Sequence, residues 1–199
     1  MDRIIDYVFV DTSVLMQESY FKSTSRIAQL FDLAGKGYIK ILLPIITKQE
    51  WIKHIKESTY IKFDDVKRKL QLLGNLPNVL KFVDDFEKLT STYANIVVDS
   101  IDTQISNGKV EVIDYSFFSD TLSDVFDKYF KKTKPFGSNG KSKEFPDAFV
   151  LAALEKYAIK NSIGQIIIFS NDKDMIQYDS KRIAVKEIGT YLDDFLKNK

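Results

Sequence analysis

Short apolar segments alternate with longer amphipathic segments along most of the 199-residue chain. Segments rich in β-branched and aromatic residues predict five strands, and two of these, at residues 41–43 and 166–169, are continuous apolar runs. Such runs are typical of strands covered on both faces, as in a parallel sheet flanked by helices. The five predicted strands span residues 7–10, 38–43, 110–113, 165–169 and 182–185.

Between the strands, apolar residues recur every three or four positions, which predicts amphipathic helices. The clearest stretches start near six residues: Ile27, Trp51, Val66, Pro77, Leu122 and Phe149. Strands that alternate with helices predict an α/β fold with a parallel five-stranded sheet flanked by helices. The stretch from about residue 55 to 107 is too long for a simple crossover. We therefore expect an all-helical insertion within a single domain of residues 1–199.

Composition removes several kinds of chemistry. The chain has no cysteine and one histidine, His54, so thiolate zinc sites, disulfides and cysteine nucleophiles are excluded and Ser-His catalysis is disfavoured. The net charge of +1 excludes a strongly basic nucleic-acid coat protein but allows a local basic groove. The N-terminal apolar run is short and broken by Asp6, so we expect no signal peptide, no membrane partner and a cytoplasmic protein.

Acidic residues follow the predicted strands where parallel sheets bind ligands, beyond the carboxyl ends of the strands. Asp11 comes directly after the first strand, Glu50 follows the second, and Asp172 follows the fourth. Asp147 follows Pro146 at a predicted helix start. Carboxylates held together raise one another's pKa, and a divalent cation relieves their repulsion. Because oxygen ligands favour hard cations, the pattern indicates a Mg²⁺ or Mn²⁺ site at one edge of the sheet.

Four segments resemble the signature segments of PIN-domain metal-dependent ribonucleases, and together they span most of the chain. They are VFVDTSVL at residues 8–15, the helix that contains Glu50, EFPDAFVLAA at residues 144–153 and IIIFSNDKDM at residues 166–175. The resemblance is to a longer, PIN-like subfamily with a helical insertion. It implies a five-stranded parallel sheet, a Mg²⁺ or Mn²⁺ cofactor, and hydrolysis of RNA phosphodiester bonds by an endoribonuclease.

The resemblance also assigns roles to residues. It places the family's four catalytic, metal-binding acids at Asp11, Glu50, Asp147 and Asp172. Asp174 matches a further acidic position, and Glu144 lies one helical turn before Asp147, so both are expected to support the metal. The candidate contacts to substrate are polar neighbours of these acids: Thr12, Ser13, Ser170, Asn171 and Lys143.

Each acid also has a purely structural interpretation. Asp11 and Asp172 could cap helices. Thr47 and Glu50 fit the spacing of a capping box, and a negative charge such as Asp147 suits the first turn of a helix. Caps need no common edge, however, so convergence of all four acids favours a shared cation.

Other functions and partners remain open at this stage. A PIN-like fold could instead be a catalytically weak RNA- or protein-binding module. A phosphatase of the haloacid-dehalogenase type is disfavoured because Ser13 stands where its second aspartate would be. A protein partner could dock on the insertion, or the chain could form a homodimer. One wall of an RNA groove could come from five lysines: Lys131, Lys132, Lys134, Lys141 and Lys143.

Overall fold

A computed structural model describes residues 5–18, 23–72, 77–137 and 142–197. Its strands are β1 Asp6–Val10, β2 Ile39–Pro44, β3 Val110–Ile113, β4 Ile166–Phe169 and β5 Ile183–Val185. They form one parallel sheet in the order β3-β2-β1-β4-β5. Every strand boundary lies within one residue of its prediction. The parallel pairing of all five strands confirms the predicted parallel five-stranded α/β fold.

Helices connect the strands and cover both faces of the sheet. Those of the described residues are α1 Thr12–Gln17, α2 Arg26–Gly35, α3 Ile45–Gln71, α4 Pro77–Ser106, α5 Ser116–Ser119, α6 Leu122–Lys131, α7 Phe145–Lys160, α8 Lys173–Ile176 and α9 Ile188–Lys197. A short 3₁₀ helix, Ser142–Glu144, leads directly into α7. None of the helices in these described ranges combines the length and the apolar character that a membrane crossing requires.

The central strands are buried on both faces, as their apolar runs predict. In β4, Ile166 and Ile168 pack in one cluster with residues of α7, such as Leu151. Ile167 and Phe169 point the other way, into a cluster built with α2 and α9. Because successive side chains of a strand alternate between faces, burial of all four positions requires helices on both sides.

The helices differ from their predictions at three places. The two stretches predicted from Trp51 and Val66 form one helix, α3, which begins at Ile45 directly after Pro44. Helices α1, α5 and α8 have only four to six residues, too few to show a helical period. Helix α9 was not predicted, although its apolar residues at 188, 191, 192 and 195 do follow the helical spacing.

The region expected as a helical insertion includes the outer part of α3 and all of α4. These two helices pack on each other, with the rings of Phe63 and Phe86 4.8 Å apart. Nearer the sheet, Ile55 and Ile101 join the same buried cluster as Val8 of β1. The bounds of the insertion and the single-domain organisation of residues 1–199 stay predictions. The predicted helix end at Gly74 lies outside the described residues.

Candidate metal centre

The neighbouring strands β1 and β4 place Asp11 at the carboxyl edge of the sheet. Val10 and Phe169 are paired across these strands, and the Asp11 N–H donates to the Phe169 carbonyl oxygen at 2.9 Å. Asp11 is also the N-cap of α1, where its carboxylate accepts from the Ser13 N–H at 3.3 Å. With only 7% of its surface exposed, this carboxylate is buried at the sheet edge.

Two hydroxyls fix the Asp11 carboxylate and tie the loops after β1 and β4 together. Ser13 and Ser170 both donate to Asp11 Oδ2, the latter at 2.9 Å. In turn, Ser170 Oγ accepts from the Asp172 N–H at 3.0 Å, and Ser13 Oγ accepts from the Asn171 N–H at 3.1 Å. Each serine thus links one acidic loop to the other, so the position of Asp11 is coupled to that of Asp172.

Asp172 caps the short helix α8. Its Oδ1 accepts from the Asp174 N–H at 2.7 Å and from the Met175 N–H at 3.1 Å. The structural interpretations of Asp11 and Asp172 as caps therefore both hold, and capping is what orients these two carboxylates. A capping role and a metal-binding role are compatible, because a carboxylate has about four acceptor sites.

Glu50 reaches the same edge from α3. Thr12 Oγ1 donates to Glu50 Oε2 at 3.2 Å. The capping box considered for Thr47 and Glu50 does not form, because α3 already begins at Ile45 and Thr47 is buried within its first turn. The pKa of Glu50 is raised, chiefly by burial and also by the charge of Asp11, while the bond from Thr12 opposes the rise.

Asp147 lies in the first turn of α7 and faces the other acids. Burial raises its pKa to about 7, and the negative charges of four neighbours add to the rise. In decreasing order of effect, these neighbours are Asp11, Glu50, Asp172 and Glu144. The structure therefore brings all four predicted catalytic acids, together with Glu144, into one electrostatically coupled group.

Three of these carboxylates have the spacing that a cation requires. One oxygen from each of Glu144, Asp147 and Asp172 lies within 4.8 Å of the others. Because Mg²⁺ holds oxygen ligands at about 2.0–2.1 Å, opposite ligands of one ion lie about 4.2 Å apart, so small movements of these side chains would let one cation contact all three. The donor set, all hard oxygens with an excess of negative charge, fits a Mg²⁺ or Mn²⁺ ion.

The remaining predicted residues have varied surroundings. Asp174 Oδ1 accepts from Lys134 Nζ at 2.6 Å. The side-chain amide of Asn171 donates to Gln17 Oε1 at 2.6 Å, and Lys143 is exposed in the 3₁₀ helix. The hydroxyls of Thr12, Ser13 and Ser170 donate to acids, so an orienting role is visible for them. Contact with substrate, like every assignment of a metal ligand, stays a prediction.

Lys134 is the residue at this centre to which sequence reasoning gave no role of its own. It was one of five lysines in a polar stretch, and its spacing along the chain does not distinguish it from the others. Its contact with Asp174 joins segments 40 residues apart. Such a contact has no local signal in a single sequence.

A parallel α/β sheet with partly buried carboxylates gathered at its carboxyl edge defines a class of candidate metal-binding hydrolases. Within this class, the family model of the PIN domain matches residues 8–175, a range that contains every acid described above. The chain belongs to the PIN domain family. PIN domains are generally nucleases, which supports an activity of the hydrolase kind. No curated protein and no solved structure matches the chain.

Proposed function

We propose that this protein is a Mg²⁺- or Mn²⁺-dependent endoribonuclease. The observation that carries the proposal is the convergence of Asp11, Glu50, Asp147 and Asp172 from four distant segments at one sheet edge. Membership of the PIN domain family supports nuclease chemistry, and the choice of RNA as substrate rests on the resemblance to PIN-domain ribonucleases. A cytoplasmic location and a protein or homodimeric partner remain predictions.

The carboxylates have the chemistry to hold the cation. Asp147, Asp172 and Glu144 would contact it most directly, since their oxygens already lie close together, with Asp11 and Glu50 beside them. When bound, a divalent cation supplies a more acidic water molecule and relieves the charge that develops on the phosphate and the leaving oxygen. Asp174 is the sixth predicted ligand, and its Oδ1 accepts a hydrogen bond from Lys134 Nζ at 2.6 Å.

The remaining polar side chains act on the acids. Ser13 and Ser170 hold Asp11, and Thr12 holds Glu50. The two N–H groups at the start of α8 hold Asp172. Partners that fix the ligands of a metal site typically affect metal affinity or activity by about 10–100-fold. These bonds therefore orient the carboxylates before metal and substrate arrive.

A closed-circular single-stranded RNA tests the endonuclease assignment, because it offers no ends to an exonuclease. We expect the purified protein to linearise it in Mg²⁺ or Mn²⁺ and to leave it intact with a chelator. Asp11→Asn should be inactive. Asp65→Asn, on the exposed outer part of α3, is the matched control and should keep full activity. A wild-type protein that leaves RNA intact in both metals, while cleaving a DNA circle, would contradict the choice of substrate.

Calorimetric titration with Mn²⁺ in the absence of RNA separates the nuclease from a binding module. A nuclease site should bind the metal and should lose it in Asp147→Asn. RNA binding by a wild-type protein without any uptake of metal would instead identify a PIN-like binding module. The same titration gives the number of ions bound, which the sequence leaves open.

A further inference from the structure

Lys134 places a positive charge at the rim of the acidic centre, the group formed by Asp11, Glu50, Glu144, Asp147 and Asp172. Its ammonium lies 2.6 Å from Asp174 Oδ1, and the two side chains are 36% and 14% exposed, respectively. The Asp174 backbone N–H in turn donates to Asp172 Oδ1 at 2.7 Å. A single residue thus connects the ammonium to one of the carboxylates proposed to hold the metal.

The loop that carries Lys134 is anchored to the helix that carries Asp147. Phe136, two residues further on, is fully buried in a cluster that includes Ala148. Its ring lies 4.9 Å from that of Phe145, and Phe145 and Ala148 belong to α7 on either side of Asp147. Two contacts therefore fix Lys134: its ammonium pairs with Asp174, and the buried ring of Phe136 anchors its backbone.

The other described lysines of this stretch are placed differently. Lys131 pairs with Asp127 at 2.7 Å within α6, where both side chains are more than two-thirds exposed. Lys132 and Lys143 are exposed, and Lys141 lies outside the described residues. Among the described lysines between residues 131 and 143, Lys134 is the one seen in contact with an acid of the loop after β4.

An acidic centre that acts on RNA must also attract a polyanion. Carboxylates repel a phosphodiester backbone, and a fixed ammonium beside them offsets part of that repulsion. Lysine binds phosphate as a point charge through up to three N–H donors, of which the bond to Asp174 uses one. The Lys134–Asp174 pair can therefore persist while the same ammonium donates to a phosphate oxygen, in a charge-assisted bond.

We propose that Lys134 binds a backbone phosphate of the RNA substrate next to the acidic centre, and that Asp174 is a positioning residue for this ammonium. The inference rests on the proposed function and deepens it, because it names the side chain that recognises the substrate backbone. It also gives Asp174 a role different from that of a metal ligand.

RNA binding measured in Ca²⁺ at a series of KCl concentrations tests the phosphate contact. The probe is a fluorescein-labelled single-stranded RNA, and the variants are Lys134→Gln and a control, Lys36→Gln. Lys36 is exposed directly after α2 and pairs with Asp32 at 2.6 Å, outside the lysine-rich stretch. Loss of one phosphate contact should reduce the slope of log affinity against log salt by about 0.7. It should weaken binding roughly tenfold, as expected for one charge-assisted hydrogen bond. Lys36→Gln should change neither quantity.

Cleavage kinetics in Mg²⁺ provide a second measurement. Because a contact to a non-reacting phosphate acts on substrate and transition state alike, Lys134→Gln should raise KM more than it lowers kcat. Lys134→Arg should recover part of the loss, since the charge is kept. If Lys134→Gln matches Lys36→Gln in salt slope and in KM, the proposed phosphate contact is wrong.

Asp174→Asn tests the positioning role. Calorimetry with Mn²⁺ on the protein alone should show unchanged metal affinity, whereas RNA affinity should fall by less than in Lys134→Gln. Loss of metal binding in Asp174→Asn would overturn the positioning role and make the residue a ligand.

These results distinguish the two proposals. A wild-type protein that cleaves RNA while Lys134→Gln behaves as wild type overturns the present inference alone. A wild-type protein that binds no RNA overturns the proposed function and this inference together.

Discussion

The outer part of α3 and the acidic centre are both rich in carboxylates, but the pKa is lowered for an aspartate on α3 and raised for one at the centre. On α3, Asp64 and Asp65 lie four residues before Arg68 and Lys69 and pair with them at 3.1 and 2.8 Å. The hydrogen bond from Lys69 lowers the pKa of Asp65. At the acidic centre, burial and four neighbouring carboxylates raise the pKa of Asp147 to about 7.

The difference lies in where each charge finds its partner. On an exposed helix, a base four residues along neutralises an acid locally, and such pairs contribute little to stability. The acids of the centre come from segments far apart in sequence, and at Asp147 the charges of four other carboxylates add to the effect of burial. Their repulsion costs folding free energy that a bound divalent cation would offset. We therefore expect the carboxylates of the centre to destabilise the metal-free fold and the paired ones on α3 to have little effect on it.

The sharpest way to break this comparison is to neutralise one carboxylate in each region. Asp147→Asn should lower RNA cleavage by more than roughly 100-fold, the upper end of what even indirect partners of a metal cost. Asp65→Asn should leave cleavage unchanged, because its pair with Lys69 lies in solvent on α3. Initial cleavage rates in Mn²⁺ measure both. Equal losses of cleavage rate in the two variants would contradict a specific role of the acidic centre in RNA cleavage.

The pH dependence of stability sharpens the comparison further. In the folded protein, burial and neighbouring charges raise the pKa of Asp147 to about 7, whereas the unfolded chain releases this proton near the ordinary aspartate pKa of 3.8. Folding therefore takes up a proton in this window, so the contribution of Asp147 to stability falls as the pH rises from about 4 to 7 and then levels off. The penalty at neutral pH is at most roughly 4 kcal/mol.

Thermal melts of the metal-free protein across this pH range measure the effect. Asp147→Asn should be as stable as wild type near pH 4 and more stable, by several degrees in Tm, at pH 7. Mn²⁺ should raise the wild-type Tm at pH 7 and do little for the variant. Wild-type and variant Tm values that change in parallel with pH would show that the pKa of Asp147 is not raised in the folded protein.

A smaller effect is expected from the bond network that joins the two acidic loops. Ser170→Ala removes the donor to Asp11 Oδ2 and the acceptor of the Asp172 N–H, both in a buried position. Loss of these bonds should cost about 1–3 kcal/mol of folding free energy. Misplacement of both acids should lower cleavage by roughly tenfold.

The control for Ser170→Ala is Ser106→Ala. Ser106 is exposed, and its hydroxyl donates to the Asp102 carbonyl oxygen within α4. Urea unfolding and cleavage rates on both variants separate the contributions. A Ser170→Ala protein that is destabilised but fully active would show that the serine supports the fold without orienting the acids.

Much of the architecture was predictable because its causes are local. Continuous apolar runs such as Ile166–Phe169 require burial on both faces, and this requirement defined the strands to within one residue. Helices of ten or more residues were found from their period, apart from α9. The short helices α1, α5 and α8 were missed because four to six residues cannot display a period.

The acids of the candidate centre were predictable for a different reason. Parallel strands send their carboxyl ends to one edge, so residues that follow β1, β2 and β4 must meet there. What each acid contacts could not be predicted in the same way. Glu50 fitted a capping box by spacing, yet its partner is Thr12, 38 residues away. Lys134 looked like any other lysine of its loop until the fold set it against Asp174.

The sequence by itself determined the strand pattern, the acids at the sheet edge and the exclusion of cysteine chemistry, because these depend on residue type and on spacing over a few positions. Only the tertiary structure decided which carboxylates lie close together and have a shifted pKa, and which lysine pairs with an acid beside them. Electrostatic energies depend on distances through space and on burial, and neither is set until distant segments pack together.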